Sequence, residues 1–387
     1  LELVEQWEAD VHLFYPDITI IKCGSPYRGH KELLKSLTQA RFPEQVVVIS
    51  TYDSAQGDFY MAKWRQAKPE QFAMICDEVH NMGAPKSQCL MELNPAYRIG
   101  LSATPRRNFD EIGSEKILNF YHQNTFEFSI KDAQREHYLV EYQYRVLPCA
   151  MPEEDWESYK AYSKEIVQLQ HALEQEDDEK DRLRLQQRIE GRYRDRAKLL
   201  KKNDQKVQTL QTIFDEISPS ARVLIYGDDL NHLDELGKEL DRMGKYYFKY
   251  TGELDAQKER PTILKEFRQG IRKILLAVGC LDEGIDIPAC DVAVFISSST
   301  SERQFIQRRG RVLRIAPGKT TAWIYDYLVY PILPASTSDE ERRMALSMID
   351  AQYRRINLMV DDAINGIREH QKLDQFLSQR KLNPYDF

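Results

Sequence analysis

The chain has 387 residues, of which 42% are hydrophobic and 10% aromatic, and its formal net charge at pH 7 is −7. This length predicts two domains of about 100–200 residues with accessory elements, and the composition excludes an intrinsically disordered chain. Because the sequence has no run of about 18 apolar residues and no signal peptide, we exclude a membrane protein and expect an intracellular, cytoplasmic one.

The net charge and the cysteine content restrict the possible functions less strongly. A net charge of −7 does not indicate a nucleic-acid-binding protein, but a local basic groove is enough to bind a nucleic-acid backbone. The six cysteines include no C-x-x-C pair, so we expect reduced structural thiols rather than disulfides or a zinc site.

The first 147 residues alternate short β-rich runs with helical stretches, a pattern typical of a parallel sheet with crossover helices. The predicted strands are residues 18–22, 45–51, 72–76, 97–101, 126–130 and 142–147. We expect the last two to close a first domain that covers residues 1–147.

Residues 148–216 carry apolar side chains at steps of three and four in two blocks, from Trp156 to Leu173 and from Leu185 to Leu200. This spacing predicts two amphipathic helices in an antiparallel hairpin. The second helix is rich in Arg and Lys. Both a solvated, salt-bridged face and a nucleic-acid contact can explain that charge.

A second α/β domain is predicted at residues 217–335, followed by a helical extension at 336–387. The predicted strands are 222–226, 246–250, 273–278, 292–296 and 321–325, with helices at 231–243, 257–268 and 301–312. The predicted fold class is therefore α/β, with two parallel-sheet domains joined by a helical linker.

Polar residues follow two of the predicted strands in the first domain. Asp77 and Glu78 come directly after a buried strand, at the edge where open α/β sheets bind ligands. An aspartate there can hold Mg²⁺, and the adjacent carboxylate can orient or deprotonate a water molecule. Ser102 and Thr104 follow the next strand, where their hydroxyls can relay the state of a bound nucleotide or simply cap a turn.

The segment at residues 307–314 (QRRGRVLR) is the most specific motif. Gln307, Arg311 and Arg314 are spaced by four and three residues, so they are expected on one face of the predicted helix. Arginines that reach the developing charge on a γ-phosphate are worth about 10³ to 10⁵ in rate in other phosphoryl-transfer enzymes. Arg311 and Arg314 are candidates for that role.

Three further strand ends carry candidate ligands. Gly284 allows a tight loop after the strand at 273–278, and the carboxylate of Asp286 can bind a ribose hydroxyl or align an arginine. Thr51 is the last residue of another predicted strand, and Thr251 follows a third. Such strand ends can bind phosphates without reading bases.

Together these segments resemble the superfamily 2 helicases and translocases, from residue 1 to about residue 330. Residues 77–80 (DEVH) are similar to the Walker B box, 102–104 to the SAT motif, 281–288 to motif V and 307–314 to the Q-x-x-G-R-x-x-R motif. The resemblance points to an XPB-like or a restriction and defence-type branch. It implies two RecA-like domains that bind ATP between them and nucleic acid across both.

The resemblance also implies a role for each candidate residue. The implied catalytic residues are Glu78, Asp77, Gln307, Arg311 and Arg314, with Asp77 holding Mg²⁺. The implied nucleotide-binding residues are Asp77, Glu78, His80, Gly284 and Asp286. The implied coupling residues are Ser102, Thr104 and His80, and the implied phosphate contacts are Thr51, Thr104 and Thr251. The cofactors would be ATP and Mg²⁺, and the partner would be nucleic acid, with DNA favoured over RNA.

One motif of this superfamily is absent from the sequence. It contains no G-x-x-x-x-G-K-[ST] loop to cradle the ATP phosphates. We expect a longer parent protein to carry this loop and the 387 residues alone to be inactive. The alternative is a non-enzymatic, helicase-like scaffold. Among enzymes, a duplex translocase subunit of a restriction, defence or repair complex competes with a strand-separating helicase.

Overall fold

The computed structural model describes residues 2–24, 27, 46–68, 70, 72–107, 110–254, 259–278, 289–297 and 302–385. The chain divides into two compact units, Leu1–Glu127 and Phe128–Phe387. Each unit combines helices with parallel strands, so the predicted α/β fold class is confirmed. None of the described helices is both long enough and apolar enough to cross a lipid bilayer.

The described part of the first unit contains two pairs of parallel strands. Strands β1 (Thr19–Cys23) and β2 (Val46–Ser50) form one pair, and β3 (Ala73–Cys76) and β4 (Tyr97–Gly100) form the other. The α-helices are α1 (Glu2–Phe14), α2 (Tyr52–Ala55), α3 (Asp58–Trp64) and α4 (Glu111–Phe120). Two 3₁₀ helices, Val79–Gly83 and Ser87–Leu93, lie between β3 and β4 in the chain. A buried apolar cluster joins them to β3 and α4.

The described part of the second unit contains a six-stranded parallel sheet. Its strands are β5 (Glu141–Met151), β6 (Val223–Tyr226), β7 (Phe248–Tyr250), β8 (Ile274–Ala277), β9 (Val292–Phe295) and β10 (Thr321–Pro331). Their spatial order is β5-β10-β9-β6-β8-β7. The helices are α5 (Ile130–Arg135), α6 (Glu153–Gln175), α7 (Glu179–Lys201), α8 (Asp204–Gln208), α9 (Leu210–Glu216), α10 (Leu230–Arg242), α11 (Glu259–Arg268), α12 (Glu302–Val312), α13 (Asp339–Val360) and α14 (Gly366–Ser378).

Helices cover both faces of this sheet. All four residues of β6 are buried, as expected for a central parallel strand. Because neighbouring strand residues point to opposite faces, Leu224 packs in one apolar cluster and Val223 in the other. The first cluster includes α13 and α14, and the second includes α9 and α10. The sheet is therefore the middle of three layers.

One strand prediction is wrong, and another is right about the strand but wrong about its place in the fold. The strand predicted at 142–147 does not close the first unit, because β5 pairs along its whole length with β10 of the second unit. The strand predicted at 126–130 does not form. Ser129 instead begins α5 with a capping box, in which the Ser129 side chain binds the Asp132 N–H and the Asp132 carboxylate binds the Ser129 N–H, both at 3.1 Å.

The predicted helical hairpin is present as α6 and α7. Several of its basic side chains form ion pairs within the hairpin. Glu165 lies 3.4 Å from Arg188 and 2.9 Å from Arg192, and Arg184 lies 2.7 Å from Asp181. These pairs support the salt-bridged interpretation of the basic face.

The C-terminal helices are fixed to the sheet by a buried ion pair. Arg355 of α13 donates to the two carboxylate oxygens of Asp326 in β10, at 3.1 and 3.2 Å. The Tyr144 hydroxyl donates to the same carboxylate at 2.9 Å. The exposed fractions are 0% for Asp326 and 8% for Arg355. Because buried charges need such partners, this cluster holds α13 in one position on the sheet.

We expect Arg355→Met to lower the free energy of unfolding by about 3–5 kcal/mol, because the Asp326 carboxylate would stay buried without its cation. Chemical denaturation followed by circular dichroism measures the change. The matched control is Arg354→Met, because Arg354 lies on the surface of the same helix and pairs with Asp350 at 2.6 Å. The control should change stability by about 0.5 kcal/mol or less. Equal effects of the two substitutions would contradict this prediction.

Candidate functional site

The carboxyl ends of β3 and β4 lie side by side. Cys76 is in register with Gly100, and two backbone hydrogen bonds continue the pairing beyond the strand ends. The Leu101 N–H donates to the Cys76 carbonyl and the Val79 N–H donates to the Leu101 carbonyl, both at 2.8 Å. Residues 77–80 and 101–104 therefore share one edge of the sheet, as predicted.

The carboxylate of Asp77 is held by two hydrogen bonds. The indole N–H of Trp7 donates to Oδ2 at 3.2 Å, and the N–H of Glu78 donates to Oδ1 at 2.9 Å. The Tyr52 hydroxyl donates to the backbone carbonyl of Asp77 at 2.8 Å. A carboxylate fixed in this way fits Mg²⁺, which commonly binds one or two carboxylates and takes its other ligands from phosphates and water. Among the described residues, no group of three or more His, Cys, Asp or Glu could hold a metal ion alone.

Glu78 has an unusual backbone conformation. Its φ angle is +46°, in the left-handed region that residues other than glycine and asparagine seldom adopt. One carboxylate oxygen, Oε2, lies 3.2 Å from Nδ1 of His80, which is 7% exposed. Such backbone strain persists only where the surroundings enforce it, and it concentrates at functional sites.

Ser102 connects His80 to Thr104. The Ser102 Oγ lies 3.5 Å from His80 Nδ1, donates to the Thr104 carbonyl at 2.8 Å and accepts from the Thr104 N–H at 3.2 Å. The structure therefore brings together the five first-unit candidates that follow β3 and β4. They are Asp77, Glu78, His80, Ser102 and Thr104.

Arg107 supports this group and was not identified from the sequence. Its NH1 donates to the His80 carbonyl at 2.6 Å, and its Nε pairs with Asp110 Oδ2 at 2.7 Å. A Cβ atom at Gly83 would lie 2.4 Å from the Arg107 side chain, so glycine leaves room for the arginine. The only signal in the sequence is the basic pair that follows Pro105.

Thr51 and Thr251 differ in exposure. Thr51 is exposed at the end of β2, where its Oγ1 caps α2 by accepting from the Ser54 N–H at 3.3 Å. Thr251 follows β7 but is only 6% exposed. A phosphate can therefore reach the hydroxyl of Thr51 more easily. The predicted Gly284 and Asp286 lie outside the described residues.

The predicted arginine helix is α12. Gln307 and Arg311 lie on it and are half-buried. Arg314 does not, so the prediction that the three residues share one helix face is wrong for Arg314. The helix ends at Val312, and Arg314 forms an antiparallel bridge with Leu139. Arg314 thus pairs with the segment at Leu139 instead of continuing the helix.

A buried lysine lies behind the carboxyl end of β9. The ammonium group of Lys206 donates to the carbonyl of Leu200 at 2.6 Å and to that of Ile296 at 3.0 Å. The same group lies 5.5 Å from the ring centre of Tyr327. Burial lowers the pKa of Lys206 to about 7, and the nearby charge of Arg355 acts in the same direction.

We expect Lys206 to make the stability of the protein rise with pH between about 7 and 10. In this range the unfolded chain retains the lysine proton, because the pKa of a free lysine is about 10.4, whereas the folded protein has released it. Stability increases where the unfolded state binds more protons, by at most about 1.4 kcal/mol per pH unit for one group. Urea denaturation of the wild type and of Lys206→Met at several pH values measures this. The free energy of unfolding of the wild type minus that of Lys206→Met should increase as pH rises. A difference that does not change with pH would contradict the prediction.

Two family models match the chain. One is described as the res subunit of type III restriction enzymes and matches residues 1–107, and the other is the helicase conserved C-terminal domain, which matches residues 205–316. The DNA 3'-5' translocase XPB2 of Sulfurisphaera tokodaii is 23% identical over 329 residues, which are 81% of this chain and 67% of the relative. These matches support the resemblance of the chain to the superfamily 2 helicases and translocases. The DEVH and SAT segments fall within the first match, and the predicted arginine helix falls within the second.

A second relative and a solved structure are also similar to this chain. The putative DNA 3'-5' helicase Rad25 of Haloarcula marismortui is 24% identical over 320 residues, which cover 81% of this chain and 42% of the relative. The helicase domain of Hef from Pyrococcus furiosus aligns with 88% of this chain and 92% of its own, at 16% identity and a TM-score of 0.45. The chain thus spans between two fifths and two thirds of the two curated relatives.

Proposed function

We propose that this chain is the core of an ATP-dependent DNA helicase or translocase. The main support is the set of contacts from Glu78 through His80 to Ser102 and Thr104, where two superfamily motifs meet at one sheet edge. The names of both curated relatives refer to DNA, which favours DNA over RNA. We also propose that the protein acts inside the cell, as a subunit of a larger repair or defence assembly.

Asp77 and Glu78 have different roles in ATP hydrolysis. Asp77, with its carboxylate fixed by Trp7, would hold Mg²⁺. Mg²⁺ neutralises charge on the β- and γ-phosphates when it is bound with ATP. Glu78 accepts the proton of the water that attacks the γ-phosphorus, while ADP leaves with the electron pair of the broken P–O bond.

Residues of the second unit act on the same nucleotide. Arg311 and Arg314 place their guanidinium groups against the charge that develops on the γ-phosphate, and Gln307, together with His80, couples hydrolysis to movement. Gly284 and Asp286 bind near the ribose. Each turnover then changes the affinity of the two units for DNA, and this change moves the protein along the strand.

The proposed DNA contacts are to the backbone and do not read sequence. Thr51, Thr104 and Thr251 bind phosphates, with the exposed Thr51 contributing more than the buried Thr251. We expect the DNA affinity of the full-length protein to fall by about 10³ to 10⁵ between about 50 and 200 mM salt, if 6–10 phosphates are bound. Fluorescence anisotropy with two duplexes of unrelated sequence measures it. A DNA affinity that does not change with salt concentration, or that differs strongly between the two duplexes, would contradict backbone binding.

A DNA-stimulated ATPase assay tests the function itself. We expect the full-length protein to hydrolyse ATP, and to do so faster with DNA. We propose that residues 1–387 alone show little turnover, because their sequence holds no G-x-x-x-x-G-K-[ST] loop. A full-length protein that binds DNA without hydrolysing ATP would instead be the non-enzymatic scaffold.

A further inference from the structure

The polar side chains at residues 307–311 of α12 fall into two classes. Gln307 and Arg311 are half-buried, whereas Arg308 and Arg309 are each only 5% exposed. Arg308 faces the sheet, with its guanidinium 4.7 Å from the ring centre of Tyr226. The proposed function gives no role to Arg309, yet a buried guanidinium is costly unless acceptors surround it. Its partners therefore deserve a functional explanation.

Arg309 is bound by the end of α13, the turn that follows it and β5. Its NH1 lies 3.0 Å from Asp362 Oδ2, donates to the Leu358 carbonyl at 2.7 Å and donates to the Tyr142 hydroxyl at 3.2 Å. The Tyr142 hydroxyl in turn donates to the carbonyl of Met359. One guanidinium thus joins α12 to the end of α13 and to the edge strand β5.

The segment that carries Asp362 is itself held against β5. The side-chain amide of Asn365 accepts from the Tyr144 N–H at 2.9 Å and donates to the Tyr144 carbonyl at 2.8 Å. The Ile364 N–H donates to the Tyr142 carbonyl at 2.9 Å. These bonds occupy the free edge of the sheet as a neighbouring strand would. Asp362 is consequently a fixed support rather than a mobile surface carboxylate.

The ion pair between Arg309 and Asp362 is largely buried. The exposed fractions of the side chains are 6% for Arg309 and 20% for Asp362. Exposed pairs contribute little because water competes with them, whereas a buried guanidinium cannot replace a lost carboxylate with water. Loss of the Asp362 charge would therefore displace Arg309, and α12 with it.

We propose that Arg309 is a positioning residue, held by Asp362 and the end of α13 so that α12 presents Gln307 and Arg311 in a fixed orientation. The C-terminal helices are then part of the ATPase machinery, not a separate appendage. A displacement of about 1 Å can lower the rate about 10²-fold. Contacts that hold α12 in place therefore affect catalysis even though they do not touch ATP. This inference rests on the proposed function, since it assigns a task to residues that act on ATP.

The first test measures hydrogen–deuterium exchange in the 387-residue chain. The variant is Asp362→Asn, which removes the charge and keeps the shape, and the matched control is Asp361→Asn, its exposed neighbour. In Asp362→Asn, amides of α12 should exchange about tenfold faster or more, while those of β6 and β8 stay at wild-type rates. Unchanged exchange in α12 would overturn the proposal. Faster exchange throughout the second unit would also overturn it, because the pair would then be merely structural.

The second test measures steady-state ATPase kinetics of the full-length protein with saturating DNA. We expect Asp362→Asn to lower kcat by about 10- to 100-fold with KM for ATP within about threefold, the result of weaker transition-state stabilisation. Arg309→Lys should also lower kcat, because the lysine side chain is one atom shorter and its ammonium group would stop short of the position from which NH1 contacts all three acceptors. Wild-type kcat in Asp362→Asn would overturn the proposal. A wild-type protein without ATPase activity would refute the proposed function instead, and the exchange experiment would still test the contact.

Discussion

Replacing Glu78 by Gln in the full-length protein should reduce DNA-stimulated ATP hydrolysis by about 10² to 10⁴, the usual contribution of a general base. Glutamine keeps the size of the side chain and its approach to His80 Nδ1, which lies 3.2 Å from Glu78 Oε2, but it cannot accept the proton of the attacking water. ATP binding should persist, because Asp77 and its contact with Trp7 are untouched. Turnover is measured by phosphate release and binding by a fluorescent ATP analogue.

The matched control for Glu78 is Glu92→Gln. Glu92 lies in the same unit, where it forms a surface ion pair with Arg65 at 2.9 Å, and its substitution should leave turnover unchanged. Turnover at the wild-type rate in Glu78→Gln would remove Glu78 from the chemistry. Loss of both binding and turnover would show that the residue supports the fold of the site and not the proton transfer.

Replacing Arg311 by Ala should have an effect of similar or greater size. Arginines that neutralise charge on the transferred phosphoryl group contribute about 10³ to 10⁵ to kcat in related chemistry, while nucleotide binding changes much less. Arg311→Lys should recover only part of the rate, because lysine cannot form two parallel hydrogen bonds to phosphate oxygens. Single-turnover ATP hydrolysis measures the chemical step.

The control for Arg311 is Arg343→Ala, which removes an exposed arginine from α13. It should leave the single-turnover rate within about twofold, because surface charges away from the nucleotide contribute little. Arg314→Ala separates the two candidate arginines. If only Arg314→Ala were defective, the residue beyond the helix end would be the one that reaches the γ-phosphate, and the assignment of Arg311 would be wrong.

Local sequence patterns were sufficient for most strands and long helices. β6, β8 and β9 are short apolar runs bounded by polar residues, and α6 and α7 repeat apolar residues at helical spacing, so each element carries its own signal. The pattern of β5 also indicates a strand. It does not indicate that the partner is β10, because pairing between segments so far apart depends on the assembled sheet.

The candidate site was predicted in part. Asp77, Glu78 and Ser102 could be placed at one edge because the carboxyl ends of parallel strands meet there. Trp7 and Tyr52, which bind Asp77, are 70 and 25 residues away along the chain, and a single sequence does not reveal contacts over that distance.

The arginine helix shows why charge is a poor guide to burial. Arg309 lies in the basic segment at residues 307–314, but its three acceptors come from β5, the end of α13 and the turn after it, which no helical periodicity predicts. Arg314 follows the same periodicity as Gln307 and Arg311. The helix nevertheless stops before it, because a bridge to Leu139 replaces the next turn.

The proposed function requires Asp77 and Arg311 to contact the same bound nucleotide. A crystal structure of the full-length protein with Mg²⁺, DNA and a non-hydrolysable ATP analogue tests this directly. We predict Mg²⁺ bound to Asp77 at about 2.1 Å or through one water, and a guanidinium nitrogen of Arg311 about 3 Å from a γ-phosphate oxygen. An analogue that binds away from Asp77, or a γ-phosphate that no arginine of residues 307–314 approaches, would contradict it.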